Sequence, residues 1–272
     1  MTTQQTVKAT TISLRNGMFQ TSFFEKGAGG PLLFLHGGSG LPEWPAWLDV
    51  YAERFRVIAP QHPGFGDSTG LEHLDDFVDL ALYYLDLMDA LGLDRPDILG
   101  QSFGGNIAAE IASIGPKDVG KLVLIAPTGL WIDAVPTPDF FVIPREEYLR
   151  AVWHDPEAAL ALGWVVEPRT EEERHREHIA RAQRGAAEAK FIWPIPDKGL
   201  KKRIHRIKAP TLLVWGASDG LVPLAYGELF QKLIPGSRLV VIPAAGHRPM
   251  QEQPQAFAQA VLDFLGSPPA SG

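Results

Sequence analysis

Six short apolar runs, each closed by a turn residue, constrain this chain more than any other feature. They lie at 31–36 (PLLFLH), 55–59 (FRVIA), 97–100 (DILG), 122–126 (LVLIA), 211–215 (TLLVW) and 239–242 (LVVI). None alternates apolar with polar, so each reads as a strand buried on both faces of a parallel sheet. Helical patterns fall between them. The segment 75–91 (DDFVDLALYYLDLMDAL) has an acidic first turn and Gly92 just past its end; 105–114, 224–233 and 254–265 read likewise. Strands alternating with helices predict an α/β fold built on a mostly parallel sheet. The chain is rich in breakers, with 27 Gly and 23 Pro. They are dispersed between the short runs, so they mark turns rather than low complexity. A length of 272 residues is enough for a large core without disulfide or metal staples.

From 129 to 207 the alternation stops. This stretch holds no buried strand, only helical or irregular segments, with a charged run at 171–190 and Trp131, Trp153, Trp164 and Trp193 scattered around it. It reads as an insertion between a first core part, 1–128, and a second, 208–265. The tail 266–272 (GSPPASG) is expected to be disordered.

Composition removes several function classes. With no cysteine, disulfides, thiolate catalysis and cysteinyl zinc or iron–sulfur sites are impossible. A formal net charge of −7 argues against nucleic acid as a partner, because phosphate binding needs a basic surface. No stretch approaches the ~18 apolar residues of a membrane span. The first ten residues lack a signal-peptide pattern, so a cytoplasmic protein is expected. No cofactor is implied, and no metal: His175 and His178 stand in EEERHREH, which lacks H-E-x-x-H and reads as a solvated helix face. The basic cluster 198–208 (KGLKKRIHRIK) is expected to face solvent. Nothing in the sequence speaks to oligomeric state.

The chemistry-bearing signal is Gly100-Gln101-Ser102-Phe103-Gly104, between a strand and a helix. In this G-x-S-x-G setting the glycines allow a turn tight enough to thrust the serine hydroxyl above the sheet. The helix behind it aims N–H groups and a partial positive charge at a developing oxyanion. A serine hydroxyl needs a base, and the base an orienting acid. Asp219 follows the strand at 211–215, and His247 follows the strand at 239–242. Parallel strand ends on one side of a sheet converge, so Ser102, Asp219 and His247 are candidate nucleophile, acid and base. A glycine loop, His36-Gly37-Gly38-Ser39-Gly40, follows the first apolar run. The N–H groups of Gly38 and Phe103 are the candidate oxyanion hole, with Gly37 at the substrate. No Lys stands at P-loop spacing and no G-x-G-x-x-G occurs, which sets a phosphate loop aside.

On these residues the chain resembles the α/β-hydrolase superfamily from about residue 20 to 265. It carries in addition that superfamily's P-G-F-G-D-S turn at 63–68 and its acid- and base-bearing stretches at 206–223 and 246–254. The resemblance implies an eight-stranded-type sheet with 129–207 as a helical cap. It makes Ser102 the nucleophile, His247 general base then acid, and Asp219 the orienting carboxylate. A minority arrangement in the superfamily nominates Asp133 instead. Where relatives open the P-G-F-G turn with Asp, this chain has Gln61-His62, and His62 is expected to shape the site mouth. Trp153, Trp164 and Trp193, with Phe191, are expected to line an apolar pocket or to form the cap's own core.

Serine at the elbow disfavours haloalkane dehalogenase and epoxide hydrolase chemistry, which uses aspartate there. The expected reaction is hydrolysis of a carboxylic ester or lactone, or another activated carbonyl in a small molecule, through an acyl-enzyme. Carbon–carbon hydrolases of the meta-cleavage type share Ser-Phe-Gly-Gly but often carry Trp after the catalytic His, where this chain has Arg248. Proline iminopeptidase, whose loop HGGSG resembles, cofactor-free haloperoxidase and a non-catalytic small-molecule receptor are the remaining readings.

Overall fold

The computed structural model describes residues 7–165, 167–195 and 197–267. Its strands and helices run in the order β1 (Thr10–Leu14), β2 (Phe19–Lys26), β3 (Gly30–Leu35), α1 (Asp49–Ala52), β4 (Phe55–Pro60), α2 (Phe77–Ala90), β5 (Asp97–Gln101), α3 (Phe103–Ile114) and β6 (Leu122–Ile125). Then come α4 (Arg145–Val152), α5 (Pro156–Ala161), α6 (Glu171–Ile192), β7 (Thr211–Gly216), α7 (Leu224–Leu233), β8 (Arg238–Ile242), α8 (Pro249–Glu252) and α9 (Pro254–Gly266). The eight strands form one sheet in the order β1-β2-β4-β3-β5-β6-β7-β8. From β4 through β8 every pairing is parallel, while β1 and β2 pair antiparallel at one edge.

Period-two geometry explains the unbroken apolar runs. Leu33, Leu35, Ile98, Leu122, Leu124, Leu213 and Trp215 enter one buried cluster, with α2, α3 and α7. Their neighbours Leu32, Phe34, Leu99, Val123, Ile125, Leu212 and Val214 enter a second cluster with residues of α1 and α9. A strand with a helix layer on each face has no polar side to show. β8 departs from the expectation, because it is the sheet's last strand and Arg238 and Val241 are exposed.

β1 and β2 carry no continuous apolar run and were not among the six. β1 is the exposed edge strand, while β2 is largely buried and its Phe19, Phe23 and Phe24 are separated by the buried Thr21 and Ser22. Helix α2 starts where Asp76 accepts hydrogen bonds from the N–H groups of Val78 (2.7 Å) and Asp79 (3.0 Å), a standard N-cap. Every residue of α3 from Phe103 to Ser113 is buried.

Two sequence expectations need correction. The basic cluster does not simply face solvent: Arg203 donates two hydrogen bonds, at 2.8 and 2.6 Å, to the fully buried Glu110 of α3. Arg206 donates to the Ser113 carbonyl at 2.8 Å. The tail expectation also fails at its first two residues. Gly266 closes α9, and the Ser267 carbonyl accepts from Lys121 at 2.5 Å; residues 268–272 lie outside the described residues. Among the described residues no helix is long and apolar enough to cross a membrane.

Candidate active site

The sheet register sets three strand ends side by side. Gln101 pairs with Ile125, Ile125 with Val214, and Gly216 with Ile242. Ser102 therefore leaves the same edge of the sheet as the loops bearing Asp219 and His247. The crossovers reverse direction between β3 and β5, and that switch point is where open α/β sheets bind ligands. The glycine loop after β3 and Ser102 after β5 flank it.

Ser102 sits at φ 53°, ψ −116°, a conformation that costs a non-glycine residue about 1–3 kcal/mol. The elbow holds because the backbone around it is packed too closely for side chains. A Cβ on Gly104 would stand 2.2 Å from the Leu35 carbonyl oxygen, and one on Gly100 would stand 2.6 Å from that of Gly104. The Ser102 N–H donates to Ile125 O at 2.8 Å, and its carbonyl accepts from Asn106 N and Thr128 N.

Asp219 and His247 meet. His247 Nδ1 lies 2.8 Å from Asp219 Oδ2, and the other carboxylate oxygen accepts from Leu221 N and Val222 N at 2.9 and 2.8 Å. An ionised Asp219 accepts only, so Nδ1 carries the proton and Nε2 keeps its lone pair. Nε2 is buried and has no hydrogen-bond partner among the described residues, Ser102 Oγ included; such contacts commonly tighten only when substrate binds. The His247 N–H donates to Val152 O at 2.6 Å, so the end of α4 holds the histidine from above. Asp133 is elsewhere, accepting at 2.8 Å from Trp131.

The glycine loop closes on the turn that carries Ser102. A Cβ on Gly37 would lie 3.3 Å from Ser102 Cβ. Arg248 donates to Ser39 Oγ at 2.5 Å, tying the loop to the residue after His247. Neither Gly38 N–H nor Phe103 N–H donates to a described backbone carbonyl.

Beneath the loop lies a buried polar network centred on His36 and His62. The His62 N–H donates to His36 Nε2 at 3.1 Å, so His36 carries its proton on Nδ1 and donates it to Gly37 O at 2.8 Å. His62 Nε2 donates to His36 O at 2.7 Å, and its Nδ1 accepts from the Tyr84 hydroxyl. Burial drives the His36 pKa down to about 4 and that of His62 well below its usual value, so both rings are neutral. His62 is therefore no residue of the site mouth. It is 1% exposed and packs edge-on against Phe103 and Phe65. The neighbouring Gln61 bridges Leu41 O and Asp67 N.

Helix α6 supplies a residue that the sequence did not single out. Its first turns are exposed, while Ala187, Glu188, Phe191 and Ile192 are buried. Phe191 packs on Phe77 and Phe103 at ring distances of 5.8 and 6.0 Å. This seats the Glu188 carboxyl against Gly38, where a Cβ would stand 1.9 Å from Glu188 Oε2. Burial raises its pKa to about 8. Within a run of charged letters nothing distinguishes this glutamate; only the packing of the last two turns does.

A cavity beside the elbow is bordered by Phe77, Asn106, Thr128, Leu130, Phe140 and Tyr226, among others. The side-chain oxygens of Asn106 and Thr128 are buried there without hydrogen-bond partners among the described residues. None of the three tryptophans borders this cavity. Trp153 is buried and stacks on Trp164 at 5.6 Å, in a cluster with Leu149, Val152 and Leu221. Trp193 is 50% exposed.

The chain is 29% identical over 270 residues to a 2-hydroxy-6-oxo-6-phenylhexa-2,4-dienoate hydrolase of Burkholderia cepacia, covering 92% of each chain. Among solved structures, a serine hydrolase involved in carbazole degradation matches with a TM-score of 0.75 and 25% identity, over 96% of this chain and 99% of that one. A bacterial membrane phospholipase A matches with a TM-score of 0.75 and 28% identity, over 96% and 86%. The family model for the alpha/beta hydrolase fold matches residues 30–254, and the chain belongs to that family.

Proposed function

We propose that this protein is a carbon–carbon bond hydrolase acting on a 2-hydroxy-6-oxo-2,4-dienoate-type substrate. The observation that carries the reading is the likeness to a dienoate hydrolase over 92% of both chains. The carboxylic ester favoured by the sequence alone is thereby displaced to second place. Arg248, where such hydrolases often carry Trp, does not outweigh a likeness of that extent.

In this reading Ser102 is the nucleophile and His247 its base, oriented by Asp219. Nδ1–H donation to Asp219 leaves His247 Nε2 free to accept the Ser102 proton. Ser102 Oγ adds to the C6 ketone, and the N–H groups of Gly38 and Phe103 receive the oxyanion, with Gly37 against the serine. Each such donor contributes roughly 3 to 4 kcal/mol to the transition state. With the dienol in its keto form, which already carries two hydrogens on C5, collapse of the adduct breaks C5–C6; the bonding pair forms C4=C5 and passes on to the C2 oxygen, which takes the proton that His247 holds. Water then cleaves the acyl-enzyme. The balance is substrate plus one water to a carboxylic acid and 2-hydroxypenta-2,4-dienoate.

Residues 129–207 act as a cap in this scheme. Support comes from α6, whose end packs on Phe103 and Gly38, and from Val152, whose carbonyl anchors His247. The partly apolar cavity beside Asn106 and Thr128 is the candidate site for the substituent on C6.

A carboxylic ester is the second reading, favoured by the likeness to a membrane phospholipase A; the same serine attack serves it. A panel pairing 2-hydroxy-6-oxo-6-phenylhexa-2,4-dienoate with p-nitrophenyl butyrate decides between them. Rapid bleaching of the dienoate, lost in Ser102→Ala by about three orders of magnitude or more, is the expected result. Ester cleavage with the dienoate untouched would reverse the ranking.

A further inference from the structure

Among the described residues Glu188 is the one buried carboxyl group beside the glycine loop that the proposed mechanism leaves idle. It comes from the cap helix α6, is 7% exposed, and reaches across to Gly38. It has neither a hydrogen bond nor an ion pair among the described residues, unlike Glu110, which Arg203 neutralises. The titratable groups on the elements around it are committed elsewhere. His36 in the loop donates to Gly37 O, Arg248 donates to Ser39, and His247 is bonded to Asp219. On α6 itself Arg184 pairs with Glu177, and Lys190 donates to Leu71 O.

A carboxyl group buried to this extent and given no cation stays protonated, and a protonated carboxyl group has one O–H to donate. Its position limits the acceptor. Gly37 lies against Ser102 and Gly38 against Glu188, so the carboxyl group stands one residue along the loop from the nucleophile. The group arriving between them in catalysis is the carbonyl oxygen under attack.

We propose that the Glu188 carboxyl group is a third hydrogen-bond donor of the oxyanion site, adding its O–H to the N–H groups of Gly38 and Phe103. The inference rests on the serine-hydrolase reading above. No proton is transferred: the O–H shares its hydrogen with the substrate oxygen as negative charge develops, and withdraws when the adduct collapses. An acid kept neutral by its surroundings suits this task, since it strengthens as a donor while the acceptor becomes an anion. The same group is harmful once ionised, because it then sets a negative charge beside the oxyanion. Burial places that change at about pH 8. Below it the donor is present; above it the donor becomes a repelling charge.

The test uses a fluorophosphonate, whose P=O oxygen enters the oxyanion site as Ser102 is phosphonylated, so no knowledge of the natural substrate is needed. Labelling rates are followed across pH in the wild type, Glu188→Gln, Glu188→Leu and Ser102→Ala. The wild-type rate is expected to fall as pH rises through about 8. Glu188→Gln, an uncharged donor at every pH, is expected to lose that fall. Glu188→Leu is expected to label about a hundredfold more slowly at neutral pH, as for the loss of one oxyanion donor. An infrared difference spectrum adds a readout independent of rate. The wild type at neutral pH should show the C=O stretch of a protonated carboxylic acid that Glu188→Gln lacks. Circular dichroism checks the folding of each variant; should the Leu variant fail to fold, the Gln profile and the infrared band decide. An alkaline fall retained by Glu188→Gln, or a missing infrared band, overturns the proposal while Ser102 labelling keeps the hydrolase reading intact. No labelling of the wild type at all overturns both.

Discussion

His247 Nδ1 and Asp219 Oδ2 lie 2.8 Å apart, and both side chains are buried. Two backbone N–H groups, from Leu221 and Val222, hold the second carboxylate oxygen and so fix the direction of the first. Asp219→Asn would keep this shape while presenting an N–H where Nδ1–H must donate, which drives the histidine to the wrong tautomer. The expected result is a fall of about ten-thousandfold in kcat, with the thermal midpoint little changed. Asp133→Asn, at a carboxylate bonded only to Trp131 among the described residues, should leave kcat unchanged. Steady-state rates on the dienoate check both, and equal losses would remove Asp219 from its proposed place.

A side chain on Gly38 would collide with helix α6. The missing Cβ would overlap Glu188 Oε2 at 1.9 Å. Gly38→Ala must push the carboxyl group, and α6 with it, away from the loop. We expect a loss of about a hundredfold in kcat/KM, the scale of one misplaced oxyanion donor. Gly38→Ala combined with Glu188→Ala should be no slower than Glu188→Ala alone, since contacting residues are not additive. A double variant as slow as the product of the two single losses would show that they act separately.

These two sites mark the limits of sequence reading. Ser102, Asp219 and His247 stood out because each follows an apolar run that is a strand, and strand ends in a parallel sheet converge. The elbow was legible because Gly100 and Gly104 stand where backbone meets backbone. Glu188 was not, because it shares a helix with Glu171, Glu172 and Glu173 and differs from them in being buried against Gly38. His62 reads as a loop residue, yet its ring bonds to His36 O and the Tyr84 hydroxyl, both distant in sequence. β1 and β2 escaped notice because β1 is an exposed edge strand and the apolar residues of the largely buried β2 are broken by Gln20, Thr21 and Ser22. Of the tryptophans, which the sequence offers either as pocket lining or as the core of the insertion, Trp153 and Trp164 stack on each other in a cluster of their own and Trp193 is half exposed.

The Arg203–Glu110 pair ties the segment before β7 to the buried helix behind Ser102. Glu110 is fully buried, and desolvation raises its pKa against the pull of Arg203. Arg203→Ala leaves that carboxyl group without its partner, which typically costs about 3 to 5 kcal/mol. Urea denaturation should show this loss, and Glu110→Gln combined with Arg203→Ala should recover part of it. A loss below about 1 kcal/mol would class the pair with ordinary exposed ion pairs.

His36 makes the fold sensitive to acid. Its pKa is 6.5 in an ordinary setting and about 4 here, because burial disfavours the charged ring. Between those values the unfolded chain binds a proton at this position that the native protein does not. Stability is therefore complete above pH 6.5 and falls as pH drops towards 4, by up to about 1.4 kcal/mol per pH unit for this one group. Protonation would also place a hydrogen on His36 Nε2, which now accepts from the His62 N–H, and break the link between the glycine loop and the turn at His62. His36→Asn should reduce the slope of unfolding free energy against pH across that window by about one proton, at the cost of a lower plateau at neutral pH. Denaturant melts at a series of pH values measure both. An unchanged slope would mean that the ring titrates alike in the folded and unfolded chains, and that the acid sensitivity belongs to His62 instead.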